Sequence, residues 1–229
     1  MTHDELLRHA ADGVLELRLN RPARLNALTH SLVLALADAV ERAMSDDTVR
    51  VLLISAEGRG FCAGKDRDDP PTDAFVADLQ RLAAALVQGR KPVIAAVQGW
   101  AVGAGFELAL DCDLVLASHD ARFALPEARL GLMGTGGVHA LLPRLVGLGR
   151  AKGMLWLGGE LDATQAHAWG LVWELADRAL LPLRARQLAA ELATLDATAL
   201  GRIKRLVHGE ALGDFQRALE REASAHGPG

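Results

Sequence analysis

Three short apolar runs constrain this chain more than any other feature: residues 49–56 (VRVLLISA), 93–97 (VIAAV) and 112–118 (CDLVLAS). Each has strand length and is rich in Val, Ile, Leu and Ala, so each reads as a strand buried on both faces. Helix-period segments separate them. Thr29 is placed to cap a helix running to about residue 44, with Leu32, Leu36, Val40 and Ala43 along one face. Thr72 or Asp73 starts a second amphipathic helix that reaches about residue 88. Upstream, residues 13–20 alternate, with Leu15, Leu17 and Leu19 opposed to Glu16 and Arg18, which is the strand period. Residues 171–176 read as a further strand. Strand and helix alternating at this spacing predict an α/β fold with right-handed crossovers. Beyond about residue 180 no strand pattern remains, and the tail is expected to form helices over roughly 181–194, 197–209 and 213–224.

With 229 residues the chain has the size of one large domain, or one domain with a helical appendage, and can bury a core without disulfides or metals. A formal net charge of −4 gives no electrostatic basis for nucleic-acid binding, and 4% aromatics without a Tyr cannot build a base-stacking platform. Cys62 and Cys112 are too few for a disulfide framework or a cysteine-rich zinc site, and Cys62 reads as a small buried filler. The histidines at 3, 9, 30, 119, 139, 167, 208 and 226 form no i, i+4 pair and no HExxH, so no metal is expected. Phosphate-loop, dinucleotide-binding and serine-hydrolase signatures are absent. The opening residues MTHDELLRHAADG lack an apolar run, and no apolar stretch has spanning length. A cytoplasmic protein with no membrane partner is therefore expected.

Four segments carry the chemistry: Asn20-Arg21-Pro22 with Leu25-Asn26-Ala27-Leu28, then GFCAGKD at 60–66, KPVIAAVQGWAVGAGFELA at 91–109, and ARFALPEARLGL at 121–132. Gly64, Gly103 and Gly105 lack a Cβ and let backbone come close to a ligand. Glu107 and Glu127 are carboxylates in apolar company, and such a group either faces a cleft or bears a desolvation cost that raises its pKa. Taken singly, each is more often a helix's polar face or a turn.

The order and spacing of these four segments resemble the crotonase superfamily, the enoyl-CoA hydratases and isomerases, over roughly residues 12–176. The resemblance implies an α/β fold, a crotonase-like spiral of ββα units over 1–180, and a helical C-terminal segment over 181–229 that serves oligomerisation as a homotrimer or dimer of trimers. It implies that the N–H groups of Ala63 and Ala104 form an oxyanion hole for a thioester carbonyl. Glu107 and Glu127 become the acid–base pair, spaced as in hydratases. Arg24, Leu25, Ala27, Gly64, Lys65, Asp66, Gly103, Pro126 and Leu130, together with Ala63 and Ala104, are expected to bind the acyl-CoA substrate. Coenzyme A is then part of the substrate, and no metal or redox cofactor is needed. Asn26 is read equally as a turn former and as a coenzyme A contact.

The activity so implied is reversible addition of water to a 2-enoyl-CoA. The alternatives are Δ3,Δ2-enoyl-CoA isomerisation and non-catalytic acyl-CoA binding. FALPEARLG also resembles carnitinyl-CoA dehydratase-type members. Several positions depart from the family. Ala104 stands where glycine is usual, which narrows the pocket but keeps the N–H. The turn Met133-Gly134-Thr135-Gly136-Gly137 lacks the usual Pro, and family members extend beyond the point matching Gly229. The loop 65–71 has no apolar anchor, so it is expected to be mobile until Lys65 or Arg67 meets a coenzyme A phosphate.

Overall fold

The computed structural model describes residues 4–70 and 72–225. The chain opens with a hairpin, β1 (Leu6–Ala11) and β2 (Val14–Leu19), paired antiparallel across an Asp12-Gly13 turn. Both turn residues have positive φ, 50° and 80°, the twist a tight hairpin needs. β1 carries no strand signature in sequence because it is an edge strand on which only Leu6 is buried. α1 (His30–Ser45) and α2 (Asp73–Gln88) are capped by Thr29 and Thr72, whose side chains accept from Leu32 N–H and Phe75 N–H.

β3 (Val51–Ala56), β4 (Val93–Val97), β6 (Leu114–Ser118) and β9 (Glu174–Ala176) join the hairpin in one sheet of order β1-β2-β3-β4-β6-β9. Every pairing after the hairpin is parallel. A second, smaller sheet runs β5 (Trp100–Val102), β7 (Arg122–Ala124) and β8 (Leu161–Asp162). The chain passes from β4 to β5 through Gln98-Gly99, and from β5 into the short helix α3 (Ala104–Leu110). The Gln98 side chain donates to Ala56 O. Gly99 makes the turn, with φ +57° and no room for a Cβ against Arg59 O. This strand–strand–helix unit is one turn of the expected spiral, and it brings α3 beside the 62–65 loop.

The central strands β3, β4 and β6 are buried on both faces, as their composition requires. Leu52 and Ile54 of β3 join a core shared with α1, α2 and α3, while Val51 and Leu53 face α7 (Leu181–Thr194). The chain between the two carboxylate segments and α7 holds α4 (Val138–Val146), α5 (Leu148–Leu157) and α6 (Ala163–Ala168). The tail continues as α8 (Ala197–Leu212) and α9 (Phe215–Ala225).

These C-terminal helices are part of the core rather than an appendage. Leu181, Ala185, Leu188 and Ala189 of α7 cover the second sheet face, and Phe215 and Leu219 of α9 enter the main core. Each large apolar side chain so buried contributes about 1.5–3 kcal/mol. On α8, Lys204 Nζ donates to Leu86 O, Lys91 O and Asp113 Oδ2. Among the described residues no helix is long and apolar enough to cross a membrane.

Candidate active site

Glu107 lies in the first turns of α3 and is only 2% exposed. Its Oε1 accepts a hydrogen bond of 3.0 Å from Gly136 N–H. Burial, then the charges of Glu127 and Glu222, push its carboxyl up to about 8, so it holds its proton at neutral pH. The turn after Leu132 is built around this carboxyl: a Cβ on Gly134 would stand 2.5 Å from Glu107 Oε1.

Glu127 opens a short 3-10 turn, Glu127–Leu130, and is partly buried. Its carboxyl reaches the start of α3, since a Cβ on Gly103 would stand 2.5 Å from Glu127 Oε1. Gly103, at φ 53° and ψ −129°, adopts a backbone suited to glycine and leaves that space open. Burial raises the pKa of Glu127 as well, by less than that of Glu107.

The backbone donors correct one expectation. Ala63 N–H donates to Leu25 O at 3.0 Å and is not free for a ligand. The chain here pairs with Leu28: Leu28 N–H donates to Gly64 O and Asp66 N–H to Leu28 O. A parallel bridge of this kind turns the N–H of the residue between, Lys65, to the other side. Lys65 N–H has no acceptor among the described residues, and neither has Ala104 N–H at the start of α3. A Cβ on Gly64 would stand 3.6 Å from Ala104 N, which measures how near the loop runs to that helix start. The free pair of donors is Lys65 and Ala104, not Ala63 and Ala104.

The loop after Lys65 is also unlike its expectation. Asp66 is 3% exposed and binds Arg21 at 2.8 Å and Arg24 at 3.1 Å. A backbone bond from Asp68 N–H and the Arg21 contact hold its carboxyl down to about 2. His30 N–H donates to Asp69 Oδ2, and Lys65 Nζ donates to Asp66 O and Asp69 O. Residues 65–70 thus have polar anchors in place of apolar ones, and the Lys65 ammonium is engaged inside the loop. Pro71, the last residue of the loop, lies outside the described residues. Arg67 is exposed.

Other expected contacts divide. Asn26 is fully buried; it accepts from Arg21 N–H and donates to Glu57 O and Gly60 O, so it is a turn former and no coenzyme A contact. Leu25 and Asn26 both sit at positive φ, 49° and 55°, which that network sustains. Arg24 pairs with Asp66 and Asp68, while Ala27 is buried and its carbonyl accepts from Arg21. Pro126 is partly buried beside Glu127, and Leu130 is 58% exposed. Cys62 is fully buried with its thiol pushed up to about 12 by burial, which suits a filler and not a nucleophile.

Sequence reasoning missed three residues near Glu107. Asp111 follows one helical turn later, is 3% exposed, has Oδ1 without a partner and is raised well above the usual carboxylate range by burial. His139 and Glu222 form an ion pair of 2.9 Å beside the 134–137 turn. A histidine between glycine-rich and apolar residues and a glutamate in a charged tail carried no motif; only the i, i+4 spacing of Asp111 behind Glu107 offered a signal. Among the described residues no three His, Cys, Asp or Glu side chains are grouped to hold a metal.

Comparison with known proteins places nearly the whole chain in one family. The family model for enoyl-CoA hydratase/isomerase matches residues 9–227. The chain is 40% identical to the 1,2-epoxyphenylacetyl-CoA isomerase of Escherichia coli (strain K12), over 95% of this chain and 87% of that protein. It is 39% identical to the 2,3-dehydroadipyl-CoA hydratase of the same organism, with the same coverage of 95% and 87%. A solved enoyl-CoA hydratase from Mycobacterium avium subsp. paratuberculosis K-10 superposes with a TM-score of 0.93 at 36% identity, covering 97% of this chain and 92% of that one. With its two-sheet spiral, its paired glutamates and a family match across nearly its whole length, the chain belongs to the enoyl-CoA hydratase/isomerase family.

Proposed function

We propose that the protein is an enoyl-CoA hydratase, catalysing reversible addition of water across the 2,3 double bond of an enoyl-CoA thioester. The observation that carries this reading is the pair Glu107 and Glu127, one carboxyl raised to about 8 and the other raised less, at the start of one helix. A pair sharing one proton supplies an acid and a base at once. In the dehydration direction, Glu127 takes the Cα proton of a 3-hydroxyacyl thioester. The resulting enolate oxygen is held by the N–H groups of Lys65 and Ala104. Glu107 then gives its proton to the hydroxyl leaving Cβ, and water departs as the double bond forms. Hydration is the reverse, with Glu107 as base toward water and Glu127 as acid toward Cα. Backbone donors bind the enolate more strongly than the neutral carbonyl, which lowers the barrier. Coenzyme A belongs to the substrate, and the scheme needs no metal or redox cofactor.

A second reading rests on the same carboxyl. If Glu107 stays protonated throughout, Glu127 alone can shuttle a proton between carbons, which is Δ3,Δ2-isomerisation. A panel of 2-enoyl-CoA and 3-enoyl-CoA thioesters, read by mass spectrometry for gain of water, tests the proposal. Water added to 2-enoyl-CoA supports it; double-bond migration alone favours the isomerase, and binding without turnover favours an acyl-CoA binder. The reading includes a cytoplasmic location and assembly as a homotrimer or dimer of trimers. Exposed Leu148, Trp156, Leu157 and Trp173 support the assembly, being 61–69% exposed on this chain alone.

A further inference from the structure

Helix α9 reaches the 134–139 turn through one buried side chain. Glu222 is 3% exposed, and both its oxygens are engaged there. Oε2 accepts from Gly137 N–H at 2.8 Å; Oε1 accepts from His139 N–H at 3.0 Å and meets His139 Nδ1 at 2.9 Å. Gly137 is the N-cap of α4 and has no side chain to serve the first N–H groups of that helix. Glu222 serves them from another helix. The next N–H back along the turn, that of Gly136, holds Glu107. One buried carboxylate thus fixes the segment that orients the other, although the two lie far apart in the chain.

We propose that Glu222 is a positioning residue for Glu107, fixing from the C-terminal helix the glycine turn whose Gly136 N–H holds the Glu107 carboxyl. The inference rests on the acid–base role given to Glu107 above. A neutral amide has one acceptor oxygen where both carboxylate oxygens accept from backbone N–H groups here, and a buried carboxylate is costly unless paired. The charge itself has a consequence: it opposes ionisation of Glu107 and draws a proton onto His139, whose pKa is raised chiefly by its bond to Glu222. The other titratable groups around the pair are Glu107 on α3 and Asp111 at its C-cap, Glu127, Arg144 on α4, and Asp214, Arg217 and Arg221 at and on α9. On α2, which meets α9 through Gln80, Asp78 and Arg81 are engaged with His30, Asp38 and Glu41 of α1.

The test is Glu222→Gln in the full chain, with His139→Gln beside it. Carbon-13 NMR of labelled glutamate follows the Glu107 carboxyl, assigned by its loss in Glu107→Gln. In Glu222→Gln the Glu107 midpoint should fall by roughly half a unit or more, because the opposing charge outweighs the His139 charge lost with it. In His139→Gln it should rise. Hydration kcat in Glu222→Gln should drop about 10–100-fold with KM within about twofold, since a misplacement near 1 Å costs on the order of 10²-fold. Glu222→Asp, which keeps the charge, should keep the midpoint near that of the parent. A Glu107 midpoint unmoved in a folded Glu222→Gln protein overturns the proposal. If that variant fails to fold, an unmoved midpoint in His139→Gln does the same. A parent protein that adds no water to any enoyl-CoA defeats the hydratase reading, whereas the carboxyl titration still decides this one.

Discussion

Replacing Glu107 by Gln should make the protein slower and more stable, and the stability gain should depend on pH. The carboxyl titrates at about 8 in the folded chain against an ordinary 4.5. Between those values the unfolded chain has lost this proton and the native protein has kept it. The native state then binds more protons, so its stability falls as pH rises, by about 1.4 kcal/mol per unit. The contribution is intact below about pH 4.5 and has been lost by the time pH passes about 8. At pH 7, about 2.5 pH units above the unfolded midpoint, the deficit is roughly 3 kcal/mol, taken to an order of magnitude. Glutamine mimics the protonated acid: it keeps an oxygen for Gly136 N–H and never ionises.

Thermal unfolding of parent and variant, each scanned at pH 5 and pH 7.5, isolates Glu107 together with the carboxyls coupled to it, because titrations elsewhere in the chain are common to both. The two melting temperatures should nearly coincide at pH 5. At pH 7.5, where the deficit is about 4 kcal/mol, the variant should melt higher by roughly 8–16 °C, given about 2–4 °C per kcal/mol for a chain of this size. Hydration should fall by roughly 10²–10⁴-fold in the same protein. A melting difference that is the same at both pH values would refute the reasoning, because it would mean that Glu107 does not carry a raised pKa.

Four further outcomes are expected. Glu127→Gln should lose hydration by a factor similar to Glu107→Gln, and the double variant should be little worse than the poorer single, as measured by initial rates; additive losses would argue against a shared proton. The pH–rate profile for hydration should turn down above about pH 8, whereas a Glu127-only isomerase should stay level through that range. Asp66→Asn should cost about 1.5–3 kcal/mol at pH 7 by urea melts, because hydrogen bonds to charged partners are lost. Since the Asp66 carboxyl is held down to about 2, that difference should persist through mild acid and shrink as pH falls toward 2. Light scattering should give three or six times the 24.3 kDa chain mass; a stable monomer would count against the assembly.

Much of the fold was legible because its central strands are buried on both faces. Residues 49–56, 93–97 and 112–118 announced β3, β4 and β6 through composition alone, and Thr29 and Thr72 announced their helices by capping. What escaped had little burial to write a pattern. β1 exposes five of its six residues, and β5, β7 and β8 are only two or three residues long, below any period. Helices α4 and α5 lie in a stretch broken by Gly134, Gly136, Gly137, Pro143 and Gly147, which reads as loop until the neighbours that pack on Leu141, Leu142 and Ala151 are known.

The site divides along a different line, between chemistry carried by side chains and chemistry carried by backbone. Glu107 and Glu127 stood out as carboxylates in apolar company, and the resemblance of the surrounding segments, not the company alone, made them a candidate pair. Which N–H is free is not a property of the residue that owns it. Ala63 and Lys65 differ only in which carbonyl lies opposite: Leu25 O takes the first, and the bridge to Leu28 turns the second away. That choice is made by the Arg21-Asn26 turn, where Leu25 and Asn26 hold positive φ against three side-chain hydrogen bonds from one buried amide. Asn26 therefore bears on which N–H stays free, by holding the turn that sets where the Leu25 carbonyl points. Glu222 stands in the same relation to Glu107 at the other end of the site. Both are buried polar residues that hold backbone groups, Glu222 with the His139 ring as a further partner.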